Sequence, residues 1–227
     1  MRKRLGVIVP ASNTVAEVDF YRAAPPEVSV HVARAHLPTS TAEGLLGMMD
    51  GAIPMAAEQV GEVHPHVMAL SATAALALVG PDGEERYLDK LSASVGCPVV
   101  STTKACATHL GRHEGARIGV FTAYIEELNR SLEDYLTKRE LDIAFTVGMG
   151  ITVNAEMAAI EPADLAQRTL EGLPNRDFDV LFVSCANLRA VEAIDQLSDA
   201  LGKPVITSNQ AAVDMALEEL GVVAAVG

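Results

Sequence analysis

The chain is short of positive charge, of cysteine, of long apolar runs and of phosphate-binding glycine clusters, and each shortage removes a class of function. There are 17 Lys and Arg against 30 Asp and Glu in 227 residues, a formal net charge of −13. No basic face offsets that charge, which argues against nucleic-acid and anionic-membrane partners. A small anionic substrate stays open, because loop amides and helix N-termini set the local field in a cleft. The 3 cysteines, an odd number in a long chain, do not make a disulfide framework, so a reducing cytoplasm is the expected compartment. No apolar run approaches membrane-spanning length. Met1-Arg2-Lys3-Arg4 is basic, but the apolar run behind it, Leu5 to Val9, ends at Pro10. That is too short for a signal-peptide core and reads as a buried strand. No glycine-rich phosphate loop of either standard spacing occurs, and no serine sits in a nucleophile elbow. Nucleotide binding and Ser-His-Asp hydrolysis therefore lack their signatures.

What is present is an internal echo. His66-Val67-Met68-Ala69-Leu70-Ser71-Ala72-Thr73 returns as Asp179-Val180-Leu181-Phe182-Val183-Ser184-Cys185-Ala186, and Arg4-Leu5-Gly6-Val7-Ile8-Val9 as Arg117-Ile118-Gly119-Val120-Phe121-Thr122, both at an offset of 113. Gly96-Cys97-Pro98-Val99-Val100 returns as Gly202-Lys203-Pro204-Val205-Ile206 at an offset of 106. Repeats in the same order predict two similar lobes, related by a pseudo-twofold axis, with equivalent loops facing each other across a cleft. Cys185 would stand on one wall and Ala72 on the other.

Composition, 49% hydrophobic and 21% charged, is that of an ordinary soluble globular enzyme, and the length suits one large domain or two small lobes. Short β-branched runs at 5–9, 28–33, 66–71, 97–101, 117–122, 142–147, 179–184 and 204–207 alternate with helical patterns near 42–61, 84–95, 103–112, 125–139, 162–172, 187–201 and 209–220. Strands apolar on both faces and linked by helices predict an α/β fold with parallel sheets covered on both sides. The expected division is a four-stranded lobe over 1–112 and a second over 113–227, with the C-terminal helix, about 209–227, packing back on the first lobe. Ligands in such sheets bind beyond the carboxyl ends of the strands.

The residues that could carry chemistry lie in those loops. Cys185 follows a strand and precedes a helix expected to start near Asn187, where free amides favour a thiolate; the alternative is a small buried side chain. Tyr124, expected to open the next helix, can donate to a developing oxyanion or pack. Thr73 offers a hydroxyl and a loop amide. Asn13, beside Ser12, can bind substrate and also cap a helix. Asn154 follows Gly148-Met149-Gly150 in an irregular stretch. Cys97 and Cys106 read as buried packing. Cys106, His109 and His113 share a helix face, but no second ligand cluster accompanies them, so no metal site is expected. Glu84, Glu85, Glu126 and Glu127 read as solvated helix faces.

At these loops the chain resembles the aspartate/glutamate racemase superfamily, in the branch of the maleate cis-trans isomerases and arylmalonate decarboxylases. Val9-Pro10-Ala11-Ser12-Asn13-Thr14, Ser184-Cys185-Ala186-Asn187-Leu188-Arg189, Asn154 and the run Gly202 to Ala211 resemble the isomerases. Thr122-Ala123-Tyr124-Ile125-Glu126-Glu127-Leu128-Asn129 is similar to the decarboxylase segment with the oxyanion-binding tyrosine. The resemblance covers nearly the whole chain and implies an enzyme free of cofactor and metal, acting next to a carboxylate. The racemases and isomerases use a cysteine on each wall; here Ala72 replaces the first, and only the second, Cys185, is kept, as in the decarboxylases. The chain departs from the decarboxylases at Ala186-Asn187, where they have glycines, and at Ala74, where they have serine.

The resulting expectation is decarboxylation of a small malonate-type dicarboxylate. Cys185, Tyr124 and Thr73 would be catalytic, and Asn13, Ser12, Ala72, Ala74, Ala186, Asn187 and Asn154 would line the substrate. A maleate isomerase variant and a non-catalytic anion-binding module are the alternatives. Whether the chain forms a homo-oligomer stays open.

Overall fold

The computed structural model describes residues 2–223, so the last part of the expected C-terminal helix range, 224–227, lies outside the described residues. Among these residues there are two four-stranded, all-parallel sheets. The first has the order β2-β1-β3-β4 and the second β6-β5-β7-β8, the same topology twice. Its strands are β1 (Lys3–Pro10), β2 (Val28–Ala35), β3 (Val67–Leu70), β4 (Val99–Ser101), β5 (Arg117–Thr122), β6 (Asp142–Gly148), β7 (Val180–Ser184) and β8 (Val205–Thr207). The central strands β3 and β7 are buried along their whole length, as continuous apolar runs under helices on both faces must be. The expected parallel α/β architecture is observed.

The helices are α1 (Ala16–Ala23), α2 (Ala42–Gly47), α3 (Ile53–Gly61), α4 (Thr73–Val95), α5 (Thr102–Gly111), α6 (Glu126–Lys138), α7 (Asn154–Ala158), α8 (Pro162–Gly172), α9 (Ile194–Leu201) and α10 (Ser208–Glu219). They differ from the sequence expectation in four respects. The segment 42–61 is two helices joined by a π-turn over Met48–Ala52, just ahead of Pro54, which has no N–H to give the ladder. Helix α4 starts at Thr73, eleven residues earlier than the periodicity shows, because Thr73 to Ala77 is buried on every side and carries no amphipathic pattern. It kinks at Gly80 (φ 68°), directly before Pro81. Helices α1 and α7 fall outside the helical patterns read from the sequence.

The fourth difference bears on chemistry. No helix starts near Asn187. Residues 186–190 form an irregular turn, a 3₁₀ turn covers Val191–Ala193, and α9 begins only at Ile194.

Glu84 also corrects the sequence reading, since it is fully buried rather than solvated. It sits on α4 and accepts from the Ser101 and Tyr135 hydroxyls, with Arg139 at 3.4 Å. Tyr135 and Arg139 belong to α6 and its C-terminal end, so this buried carboxylate ties the two halves together where α4 lies against α6. A lone buried carboxylate would be costly, but one carrying three donors is compensated. Helix α10 lies against α5 and α1, the helices of the first sheet.

Candidate active site

The carboxyl ends of β1, β3, β5 and β7 converge on one small cleft of about 40 Å³. Ala72, Thr73 and Ala74, after β3, line it, and so do Cys185, Ala186 and Asn187, after the equivalent strand β7. Tyr124, after β5, and Asn13, after β1, complete the set, and Asn154 borders it from the start of α7. Nine of the ten sequence-derived site residues therefore line one cavity. Ser12 stands just outside it and accepts from Asn154 Nδ2 at 2.8 Å.

Cys185 is 5% exposed. Burial pushes its thiol up to about 11, against the Asn187 and Leu188 amides and the Tyr124 phenol, which pull it down. The Asn187 N–H lies 3.4 Å from the sulfur. The expectation that a helix N-terminus favours a thiolate is thus corrected: the helix is absent, desolvation dominates, and the thiol is neutral near pH 7. The Cys185 N–H donates to Ser208 Oγ at 3.2 Å, which fixes the residue at the strand end.

Tyr124 does not open a helix; it stands two residues ahead of α6, whose N-cap is Ile125. Its backbone N–H donates to Thr122 Oγ1 (2.9 Å), and Thr122 in turn donates to Asn129 Oδ1 (2.6 Å). Gly148 lets this loop approach β6: a Cβ there would come within 2.3 Å of both the Tyr124 carbonyl and the Asn129 amide. The phenol is buried against Ser184 and Cys185, and burial together with the neighbouring thiol holds it protonated far into the alkaline range. It is a hydrogen-bond donor, as oxyanion stabilisation requires.

Asn13 caps the start of α1 and lines the cleft. Its Oδ1 accepts from the Val15 and Ala16 amides at the start of α1 (both 2.9 Å), while its Nδ2 crosses to the Ala186 carbonyl at 3.0 Å. Asn154 is held at the cleft by two neighbouring segments. Ser40 Oγ donates to its Oδ1 (2.8 Å), and its carbonyl accepts from Asn187 Nδ2 (2.7 Å).

The lining contains no Lys, Arg, His, Asp or Glu; its titratable groups are Cys185 and Tyr124. Two buried hydroxyls, Ser71 Oγ and Thr73 Oγ1, have no protein partner. Buried hydroxyls are rarely left orphaned, and these two stand where a bound oxyanion could use them. Ser71 is the pseudo-twofold mate of Ser184, whose own hydroxyl accepts from Ser208 at 3.4 Å. Sequence reasoning missed Ser71 and Ser40 as site residues, and also the apolar lining by Pro10, Leu37, Leu45 and Met48. Ser71 was within reach, because it adjoins Ala72 in the repeat. Ser40 and the apolar residues carried no signal.

Elsewhere, Cys106 is fully buried. His109 turns its Nδ1 to the Ala105 carbonyl (3.0 Å) and its Nε2 to Asp214 (3.4 Å). Among the described residues no three His, Cys, Asp or Glu side chains converge to hold a metal.

The structure is a parallel sheet repeated twice, with one thiol in a cleft that carries no charged side chain. The chain belongs to the arylmalonate decarboxylase family, whose model matches residues 5–226. It is 25% identical to a maleate isomerase of Alcaligenes faecalis over 233 residues, 96% of this chain and 91% of the relative. It is also 25% identical to an arylmalonate decarboxylase of Bordetella bronchiseptica over 210 residues, 91% of this chain and 86% of the relative. A variant of the maleate isomerase of Pseudomonas putida S16, crystallised with maleate, superposes with a TM-score of 0.89 at 22% identity, covering 98% of this chain and 93% of that one.

Proposed function

We propose that the chain is a cofactor-independent enzyme that decarboxylates a small malonate-type dicarboxylate and protonates the resulting enediolate from Cys185. One observation carries the choice. The cleft holds one neutral thiol, Cys185, while the equivalent position after β3 is Ala72, which has neither a proton nor a nucleophile to offer. Two-sided proton exchange, and attack on maleate from the Ala72 wall, both lack their reagent.

In the proposed reaction one carboxylate is held by the orphaned Ser71 and Thr73 hydroxyls and by loop amides. The bond from the α-carbon to the other carboxylate breaks and CO₂ departs. Its electron pair remains as an enediolate, whose charge the Tyr124 phenol and the hydroxyls stabilise. Preorganised donors in a dry site contribute several kcal/mol to such a step. The Cys185 proton then passes to the α-carbon, and the thiolate regains a proton from solvent.

Incubation with maleate and with methyl- or phenylmalonate in heavy water, followed by proton NMR, tests the reading. Loss of the malonate with deuterium in the product α-position is expected, with maleate unchanged. Fumarate formation without decarboxylation would assign the isomerase activity instead, and tight binding without turnover would make the chain an anion-binding module.

Tyr124→Phe is expected to lower kcat about a hundredfold while changing KM little, because the phenol matters most once charge has developed. Steady-state kinetics decide it: a raised KM at unchanged kcat would make Tyr124 a ground-state binder.

A further inference from the structure

Asp19 lies on α1, outside the cleft, and is 7% exposed. Its Oδ2 accepts from Asn209 Nδ2 at 2.7 Å. The same nitrogen donates to the Ala186 carbonyl at 3.1 Å, the oxygen that Asn13 holds from the other side. Ala186 immediately follows Cys185, and the next two amides, of Asn187 and Leu188, are the ones that pull the thiol pKa down. A primary amide has two N–H bonds and one oxygen. In Asn209 both N–H bonds have acceptors, whereas Oδ1 is buried without a partner. Nothing holds this side chain from its oxygen end. Its orientation is set by Asp19, the one charged acceptor in its reach, through the stronger, charge-assisted kind of bond.

We propose that Asp19 is a positioning residue for Cys185: it orients the Asn209 amide, whose second N–H pins the Ala186 carbonyl and so the turn whose amides face the sulfur. Its effect on turnover rests on the reading of Cys185 as proton donor; its effect on the thiol does not. The charged groups around Asp19 are Arg22 on its own helix, Arg189 in the turn after Cys185 and Glu192 in the 3₁₀ segment. Asp214 of α10 borders the same surface cavity. Burial outweighs them and raises the Asp19 carboxyl to about 6. The carboxyl is thus charged above that pH and neutral below it, and the pinning is strongest at neutral pH.

Asp19→Asn keeps an acceptor oxygen and removes the charge; Asp19→Leu removes both. The first readout needs no substrate. Each protein is alkylated with iodoacetamide near pH ~9, close to the ordinary thiol pKa, and the Cys185 peptide is followed by mass spectrometry. Asp19→Leu loses the amides that favour the thiolate, so Cys185 is expected to react about tenfold more slowly, and Asp19→Asn, which keeps an acceptor but not the charge, about fivefold more slowly. Equal rates in all three proteins, or faster reaction in Asp19→Leu, would overturn the proposal. The second readout is kcat on phenylmalonate against pH. The parent is expected to lose about fivefold as pH falls through the Asp19 titration, with KM unchanged, and Asp19→Asn to sit at that lower level across the range. A purely structural role would lower the melting temperature and leave the acid limb in place. If Asp19→Leu does not fold, the presence or absence of the limb in Asp19→Asn decides. Full turnover in Cys185→Ser alongside the expected alkylation pattern would instead remove the decarboxylase reading and leave the positioning role standing.

Discussion

Cys185→Ser is expected to cut turnover on a malonate substrate by about a hundredfold or more, the scale of losing a general acid, while the melting temperature stays near that of the parent. The change is nearly isosteric, and the contacts of residue 185 are ones that serine tolerates. The backbone N–H keeps its bond to Ser208 Oγ, and the Met157 thioether, 3.7 Å from the sulfur, faces a slightly shorter group. What disappears is the acid. A serine hydroxyl is far weaker than a thiol held at about 11, so the proton reaches the enediolate only from water. Decarboxylation then slows or gives racemic product. Near-parent turnover with a single product configuration would remove Cys185 from the mechanism.

The pH dependence follows from the same group, and its sign is fixed by the requirement for a neutral donor. The thiol is protonated below about 11. On its account kcat is flat through neutral and mildly alkaline pH and falls as pH approaches that value. Stability moves the same way. The unfolded chain ionises this thiol near its ordinary 9.0 and the folded chain only near 11, so the stabilisation is complete below the lower value and is lost as pH rises through the higher.

The inner strands β1, β3, β5 and β7 were legible because burial writes a continuous apolar run, and the repeat marked which strand ends are equivalent. The first turns of α4 were not legible, for the same physical reason turned round: Ala74, Ala75, Leu76 and Ala77 are buried on every side of a helix, and periodicity vanishes when no face is wet. Glu84 was misread because its partners, Ser101, Tyr135 and Arg139, are 17, 51 and 55 residues away. The site divided similarly. Cys185, Thr73, Tyr124 and Asn13 sit at strand ends, where the fold alone brings chemistry together. Ser40 meets Asn154 across 114 residues through loops with no pattern of their own. The burial of Cys185 mattered most, because desolvation outweighs the local amides and raises the thiol pKa.

Ala72→Cys is expected to convert one-sided protonation into exchange from both faces. Ala72 and Cys185 occupy equivalent positions after β3 and β7, in sheets of identical order, and both line the same cleft. Ala72 is 6% exposed at the N-cap of α4, with a negative φ that cysteine adopts freely. The added sulfur projects from a cleft wall, so it costs less than overpacking a core position. With a thiol on each wall, the α-substituted acid product should racemise, since one wall removes the α-proton and the other returns it. Maleate should also become a substrate for attack from the new side. Adding Cys185→Ser should abolish racemisation, because both carriers are needed. It should leave decarboxylation with the product configuration inverted, because the proton now arrives from the opposite face. Chiral chromatography of the acid formed by the parent, the two single variants and the double variant reads all of this at once. If Ala72→Cys is folded and active yet delivers only the parent's enantiomer with no exchange at the α-carbon, then the two walls do not face one bound carbon, and the pseudo-symmetric cleft is not the reaction site.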